Sequence, residues 1–424
     1  MELTIAIETH GCKLNQADSE EMARRFNDEG YRLVDVDDGP DVIVVNSCTV
    51  THVADAKARH ALRAAKRRKS NPIVIATGCY AERDPRTLLK MASVDLVAGN
   101  REKGELVELT KLVTAGRLSY NKSEKRPDHS FRIRSKAMIK IQEGCNQICS
   151  FCIIPRVRGR ERSVPVGLLI KEIQSRSSEG FREVVLTGTQ LGSYGFDLEN
   201  VDLTRLVALI LEKTSIERLR LSSVQPQEFT PNLLDLWGNP RLCPHFHIPL
   251  QSASPAVLAK MRRRYSPGLF SAKVQEIQDR FPEAAITTDV IVGFPGEGNL
   301  EYEQTLEFCS RVDFADMHVF PYSVRPRTTA AHLFGKVHPI EKKERMNRML
   351  ALSIIKSNAF RKRSLGQTRS VLWEATKTKD GIFSGLTDNY LRVHTRSQKD
   401  LTNRITLARL TSFQNGILTG ENIV

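Results

Sequence analysis

The sequence predicts an α/β fold class in three units: a flavodoxin-like N-terminal domain, a partial (β/α)6 barrel and a small all-β C-terminal barrel. Three observations predict it. Short apolar runs alternate with helical patterns through the first hundred residues. A second α/β series starts near residue 137, and from residue 365 the chain changes to short alternating runs bounded by Gly, Asp and Asn. With 424 residues the chain is too long for one ordinary hydrophobic core. The boundaries expected are 1–116, a linker at 117–136, 137–364 and 365–424.

In the first unit, residues 3–7, 42–45 and 73–76 read as buried strands. Between them, residues 17–29 form a helix stopped by Gly30, and residues 53–69 a second helix ended by Asn71-Pro72. Residues 96–98, before Gly99-Asn100, make a further strand. The segment from Gly116 to Lys136 is polar, basic and weakly periodic, as in a linker or surface loop. Strands are then expected at 137–141, 183–186, 218–221, 246–248, 286–292 and 317–320, with helices between most neighbours. Six such units are fewer than the eight of a full (β/α) barrel. A basic amphipathic helix over 340–364 closes this series, and the terminal segments VLWEAT, GIFSGLTDNYLRVHT and NRITLARLTSF have the pattern of a small barrel.

Sixty-three Lys and Arg against 49 Asp and Glu leave a net charge of +14, which favours a polyanionic partner such as nucleic acid. No segment approaches the run of about 20 apolar residues that spans a bilayer, so no membrane partner is expected. The N-terminal MELTIAIETHGCK lacks the pattern of a secretion signal, so the expected location is cytoplasmic. Eight cysteines in this length are too few for a disulfide scaffold.

Their positions carry the chemistry. Cys145, Cys149 and Cys152 stand at CxxxCxxC spacing just after an expected strand. Three thiolates hold three irons of a 4Fe-4S cube and leave the fourth open to a substrate ligand. The amine and carboxylate of S-adenosylmethionine suit that vacancy, and reductive cleavage there would release a 5'-deoxyadenosyl radical. Zinc competes for such cysteines, but a closed zinc site takes four ligands and no fourth Cys or His lies nearby at finger spacing. Cys12, Cys48 and Cys79 are far apart in sequence, yet each follows an expected strand, in IAIETHGC, VIVVNSC and IVIATGC. Loops after parallel strands share one sheet edge, so these three can meet, either as a second iron-sulfur site or as a redox or metal site of another kind. Gly11 and Gly78 allow sharp turns beside them. Cys243 and Cys309 lack such placement and read as ordinary buried thiols.

Over essentially its whole length the sequence resembles the methylthiotransferases of the radical S-adenosylmethionine superfamily. The motifs that carry the resemblance are ETHGCKLNQADSE, NSCTVTHVADAKAR, ATGCYAE, KIQEGCNQICSFCIIPRVRGRERS, LTGTQLGSYG, LRLSSVQP, CPHFHIPLQSAS, MRRRY, TDVIVGFPGE and HVFPYSVRP. The resemblance implies an N-terminal domain with an auxiliary 4Fe-4S cluster on Cys12, Cys48 and Cys79. It also implies a radical barrel with a second cluster on Cys145, Cys149 and Cys152, and a terminal RNA-binding barrel of the TRAM type. Family members modify isopentenyladenosine or threonylcarbamoyladenosine in the tRNA anticodon loop, or an aspartate of a ribosomal protein. The words around Cys12 and Cys48 and the RRRY at 262–265 look most like the threonylcarbamoyladenosine branch.

By the family's chemistry, one S-adenosylmethionine methylates a sulfur on the auxiliary cluster. A second is cleaved to a radical that removes hydrogen from adenine carbon 2, where the methylthio group joins. An electron donor such as flavodoxin or ferredoxin and a sulfur source are implied partners. Phe151, Thr187, Gly188, Gln190, Ser223, Gln251 and Gly293 match positions that contact S-adenosylmethionine. Asp289 and Tyr322 are weaker candidates, and His247, on an apolar strand, reads as a satisfied core histidine. Basic clusters at Lys66, Arg67, Arg68 and Lys69, at 262–264 and at 361–363, with Trp373, Phe383 and Tyr390, are the expected RNA surface. The chain departs from the family wording at Gly298, Arg327 and Glu82, where threonine, glycine and glutamine are usual. A non-enzymatic alternative is an RNA-binding zinc protein.

Overall fold

A computed structural model describes residues 3–115, 135–377 and 381–423. Most of the expected linker lies outside the described residues. Five parallel strands open the chain: β1 (Thr4–Thr9), β2 (Arg32–Leu33), β3 (Val42–Ser47), β4 (Ile73–Gly78) and β5 (Leu96–Ala98). Their order, β2-β1-β3-β4-β5, is that of a flavodoxin-like doubly wound sheet. β3 and β4 are buried at every position, as unbroken β-branched runs require when helices cover both faces. Helices α1 (Lys13–Asp28) and α2 (His52–Lys66) follow β1 and β3, and the short α3 (Cys79–Arg83) follows β4.

The second unit begins with β6 (Lys136–Lys140), followed by a ribbon of β7 (Gln142–Glu143) and β8 (Arg162–Ser163). Five further parallel strands are β9 (Glu183–Thr187), β10 (Arg218–Leu221), β11 (His245–His247), β12 (Ala285–Val292) and β13 (Asp316–Pro321). They pair as β6-β9-β10 and β11-β12-β13. Isolated bridges Leu219–Leu242 and Ser223–His247 join the two halves into one six-stranded arc. β6 and β13 do not pair, so the barrel is partial rather than closed. One large core, including Leu206, Ile210, Phe246 and Phe270, fills the space between the strands and their outer helices.

The long helix Pro339–Arg363 lies against β13 and leads into β14 (Thr368–Lys377), β15 (Ile382–Thr387), β16 (Arg392–Arg396), β17 (Ile405–Gln414) and β18 (Ile417–Ile423). These close into a barrel in the order β14-β15-β16-β18-β17 around Val371, Trp373, Phe383, Val393 and Leu410. Closure leaves no free sheet edge.

Candidate active site: two cysteine trios on facing loops

β1, β3 and β4 are sheet neighbours with Thr9 level with Asn46 and Asn46 level with Thr77, so their C-terminal ends finish together. Cys12 caps the start of α1, Cys48 follows β3 directly and Cys79 opens α3. The three cysteines come together as expected: a Cβ on Gly11, beside Cys12, would stand 2.8 Å from Cys48 Cβ, and Cys79 follows β4, the neighbour of β3. Gly11 and Gly78 have positive φ, and a Cβ on Gly78 would stand 2.5 Å from Asn46 Oδ1 and the Ser47 carbonyl. The turns therefore require glycine. Cys48 and Cys79 are buried and Cys12 is exposed. Burial, with the neighbouring sulfurs, pushes the Cys48 thiol up to about 12. A bound metal offsets that cost by taking the thiolate directly. The Val50 N–H points at Cys48 Sγ (3.5 Å) and the Asn100 amide at Cys79 Sγ (3.6 Å), the donors a thiolate site needs.

The second trio sits on the loop after β6. Gly144 has φ +78, and a Cβ there would overlap the Arg160 carbonyl. Cys145 N–H donates to the Gly159 carbonyl (3.1 Å), and Ser150 anchors the loop to the carbonyls of Met261 and Lys260. The side chain of Gln142 ties the loop to the end of β9 by accepting from the N–H groups of Thr189 and Gln190 (3.0 Å each) and donating to the Gly144 carbonyl (2.8 Å). Burial raises Cys152 to about 12 and Cys145 to about 11, and the Arg263 guanidinium donates to Cys149 Sγ (3.5 Å).

Among the described residues, the trio of possible ligand atoms lying within 4.8 Å of one another is His247, Asp289 and His318. Neither cysteine trio has all three sulfurs within that distance of one another, whereas a tetrahedral zinc with Zn–S bonds of about 2.3 Å draws its thiolates to roughly 3.8 Å. Three spaced thiols under backbone and amide N–H groups fit the larger iron-sulfur cube.

Arg158 links the two loops. Its guanidinium, 1% exposed, donates to Asn15 Oδ1 (2.7 Å) and Asp18 (2.9 Å) beside the first trio and to Glu143 (2.8 Å) beside the second. Burial disfavours its charge, but Cys79, Asp18 and Cys12 hold it well above the usual arginine value. Asp18 also receives Lys103 (2.6 Å) and Lys140 (2.9 Å). Sequence reasoning missed Arg158 and Asn100. Asn100 carried a signal, because Gly99-Asn100 ends a strand on the same sheet edge as the cysteines.

The residues expected to meet S-adenosylmethionine lie at the C-terminal ends of the barrel strands, on the loop side where such barrels bind ligands. Thr187 ends β9, and Gly188 packs against Gln142. Buried Gln190 is bonded to Glu228 and Gln225. Ser223 bridges to His247, Gln251 bridges to Val290 with φ +64, and Gly293 has φ +76 with its N–H on Glu297 (2.8 Å). Phe151 meets Phe294 edge-on at 6.4 Å, and Tyr322 packs beside Phe294.

Inside the barrel strands is a polar side-chain cluster that the sequence did not disclose. Asp289 accepts from His247 Nε2 (3.2 Å) and His318 Nδ1 (3.3 Å), and His247 Nδ1 meets Thr287 (2.9 Å). His247 is thus satisfied, as expected. Burial and then the Arg220 charge pull the Lys13 amine down to about 8.

The expected RNA surface needs correction. Trp373 and Phe383 are 0% exposed and form the terminal barrel's core, so neither can stack on a base. Arg263 turns inward to Cys149, Lys66 pairs with Asp95, Arg68 with Asp37 and Arg363 with Asp313. Arg67, Lys69, Arg262 and Arg264 remain exposed. A cleft of about 910 Å³ on the terminal barrel is lined by His394, Arg396, Lys399, Thr411 and Glu421 among others.

Residues 4–99 match the uncharacterized protein family UPF0004, and residues 139–309 match the radical SAM superfamily. The chain is 37% identical to the threonylcarbamoyladenosine tRNA methylthiotransferase MtaB of Aquifex aeolicus, over 94% of this chain and 98% of that protein. It is 32% identical to MtaB of Bacillus subtilis (96% and 93% covered) and 33% identical to a tRNA-2-methylthio-N(6)-dimethylallyladenosine synthase of Endomicrobium trichonymphae (93% and 94%). In fold it is similar to the radical S-adenosylmethionine methyltransferase TsrM from Kitasatospora setae, solved with cobalamin and a [4Fe-4S] cluster, at a TM-score of 0.58 and 14% identity, over 91% of this chain and 81% of that one. With its matched domains and full-length relatives, the chain belongs to the tRNA methylthiotransferases of the radical S-adenosylmethionine superfamily, enzymes whose cofactors are S-adenosylmethionine and 4Fe-4S clusters.

Proposed function

We propose that this enzyme adds a methylthio group to carbon 2 of the adenine of threonylcarbamoyladenosine in the tRNA anticodon loop. The observation that carries the reading is the pair of cysteine trios on separate sheets, joined through Arg158. Cys145, Cys149 and Cys152 would hold the cluster that binds S-adenosylmethionine, and Cys12, Cys48 and Cys79 a second. When bound, the first would pass an electron from an outside donor to S-adenosylmethionine, and the second would carry the sulfur that is methylated and transferred.

The chain's own contribution is placement. Gln142 fixes the Cys145 loop to the end of β9, Arg263 and Asn100 donate to cysteine sulfur, and Arg158 sets one loop against the other. Preorganised donors of this kind need no rearrangement when charge develops. The carbon 2 C–H bond is neither acidic nor activated, so a side-chain base would gain little, and a radical route fits the absence of any need for one. An electron donor such as flavodoxin or ferredoxin and a sulfur source complete the turnover, with tRNA as substrate. The threonylcarbamoyl choice rests on the words around Cys12, Cys48 and Arg262, and the relative at 37% identity carries that substrate in its name.

Mass spectrometry of tRNA nucleosides from cells with and without the gene tests this reading. The methylthio form of threonylcarbamoyladenosine should vanish with the gene; an unchanged pool overturns the assignment. In purified protein, Cys145→Ala should abolish S-adenosylmethionine cleavage, whereas Cys48→Ala should keep cleavage and lose methylthiolation. Methylthiolated product from Cys48→Ala would refute the division of labour.

A further inference from the structure

Three units of the chain meet around one amine. Lys13, next to Cys12, carries its Nζ to 5.5 Å from the ring centre of Tyr390, which comes from the turn between β15 and β16 of the terminal barrel. Tyr390 is held in an unusual left-handed conformation (φ +72) and stacks on His245 of β11 at 4.3 Å and 10°. The Arg220 guanidinium lies 4.9 Å from the same ring. Lys13 is also near enough to Glu183, Lys136 and Asp289 to feel their charges.

Each carboxylate around it already has a cation or imidazole of its own. Glu183 is bonded to Arg220 (2.8 and 3.2 Å), Glu374 to Lys136 (2.8 Å), and Asp289 to His247 and His318. Among the described residues no carboxylate or hydrogen-bond acceptor pairs with Lys13. Lys13 is half-buried, and a cation partly withdrawn from water with no partner of its own favours an anion beside it. Beside it, the His318 side chain uses Nδ1 on Asp289 and is 51% exposed, and its Nε2 makes no hydrogen bond among the described residues. The Lys13 charge near His318 disfavours a metal cation there, although His247, Asp289 and His318 converge.

We propose that Lys13, supported by His318 and floored by Tyr390, is the point that recognises the substrate's anion: the threonine carboxylate that a threonylcarbamoyl group carries and a dimethylallyl group lacks. This rests on the tRNA reading above and deepens it, making Lys13 a specificity residue for the modified adenosine. The ring of Tyr390 holds the ammonium by cation–π attraction without neutralising it, so its charge stays available. The terminal barrel then contributes to substrate choice as well as to RNA contact.

The test uses reconstituted enzyme and two short anticodon stem-loop RNAs. One carries threonylcarbamoyladenosine and the other the same nucleoside with the threonine carboxylate as its carboxamide. A charge-assisted contact of this kind predicts a KM about 10- to 100-fold lower for the acid than for the amide, with a much smaller change in kcat. Lys13→Gln should bring the ratio within about threefold of unity, Lys13→Arg should restore most of it, and His318→Gln should reduce it. Because Lys13 adjoins Cys12, the acid-to-amide ratio is also read as equilibrium RNA binding by fluorescence anisotropy, which does not depend on iron content. Equal handling of acid and amide by the wild-type enzyme, or an undiminished ratio in Lys13→Gln, overturns the inference. No methylthiolated product from the acid RNA would instead sink the proposed function, so the two failures are distinguishable.

Discussion

At the scale of single residues, buried charge does the joining. Asp18 would be raised by burial alone, but Lys103, Arg158 and Lys140 hold its carboxyl well below the usual range. Removing one partner from such a group costs more than the pair contributes, because the rest stay buried and unpaired. Arg158→Met should lower stability by about 3 kcal/mol in urea denaturation, and loss of no more than a few tenths would show that the lysines suffice. Glu183 gives a pH signature. Burial pushes it up, but Arg220, with Arg218 and Lys136, brings it from 4.5 down to about 2. Because its value is depressed in the folded state, its stabilisation is complete above about pH 4.5 and is lost as the pH falls towards 2. Glu183→Gln should therefore be less stable than the wild type at pH 7, by on the order of 3 kcal/mol, and the gap should close on acidification. A gap independent of pH between 7 and 3 would refute this.

At the scale of elements, each trio includes a glycine–cysteine pair placed in or just after the turn that ends a strand. Gly11-Cys12, Gly78-Cys79 and Gly144-Cys145 all have the glycine at positive φ. Gly144→Ala should displace Cys145 and cut bound iron by about half while leaving far-ultraviolet circular dichroism unchanged, since the glycine lies outside β6 and β7; full iron content would mean the loop can relax. Such turns were legible in the sequence because the glycine and the cysteine are adjacent. So were the strands, with Arg218–Leu221 and Leu96–Ala98 matching residue for residue. The two-residue β2 was not, being too short to show a period. Trp373 and Phe383 were misread because aromatic residues in a barrel strand face either the core or solvent, and only closure decides which. Arg263 was misread for a similar reason: Arg262 adopts φ +58 at the end of its helix, and the turn sends the next side chain in towards Cys149. Arg158 and Lys13 could not be read at all, since their deciding partners, Asn15 and Asp18 for the one and Tyr390 for the other, lie 140 or more residues away.

At the scale of the molecule, the three units are joined by buried polar contacts as well as by the chain. Arg325 of the barrel domain donates to Asp55 (2.7 Å) and the Thr49 carbonyl (3.1 Å) of the first unit. Arg218 and Arg220, on β10, donate to the carbonyls of Leu386 (3.0 Å) and Asp388 (2.9 Å) at the turn that presents Tyr390, and Asn389 donates to the Glu283 carbonyl (2.9 Å). Without the terminal barrel those guanidinium groups would keep Glu183 but lose their carbonyl acceptors, and unsatisfied donors of this kind cost about 1 to 3 kcal/mol each. A chain ending at Ser364 should therefore melt well below the intact protein, by several degrees for each kcal/mol lost, and become sensitive to protease within the β9–β10 region. An appendage that served only to hold RNA would leave the melting temperature and cleavage pattern of the remaining chain unchanged. That result would separate the terminal barrel from Lys13 and leave Tyr390 without a role beside it.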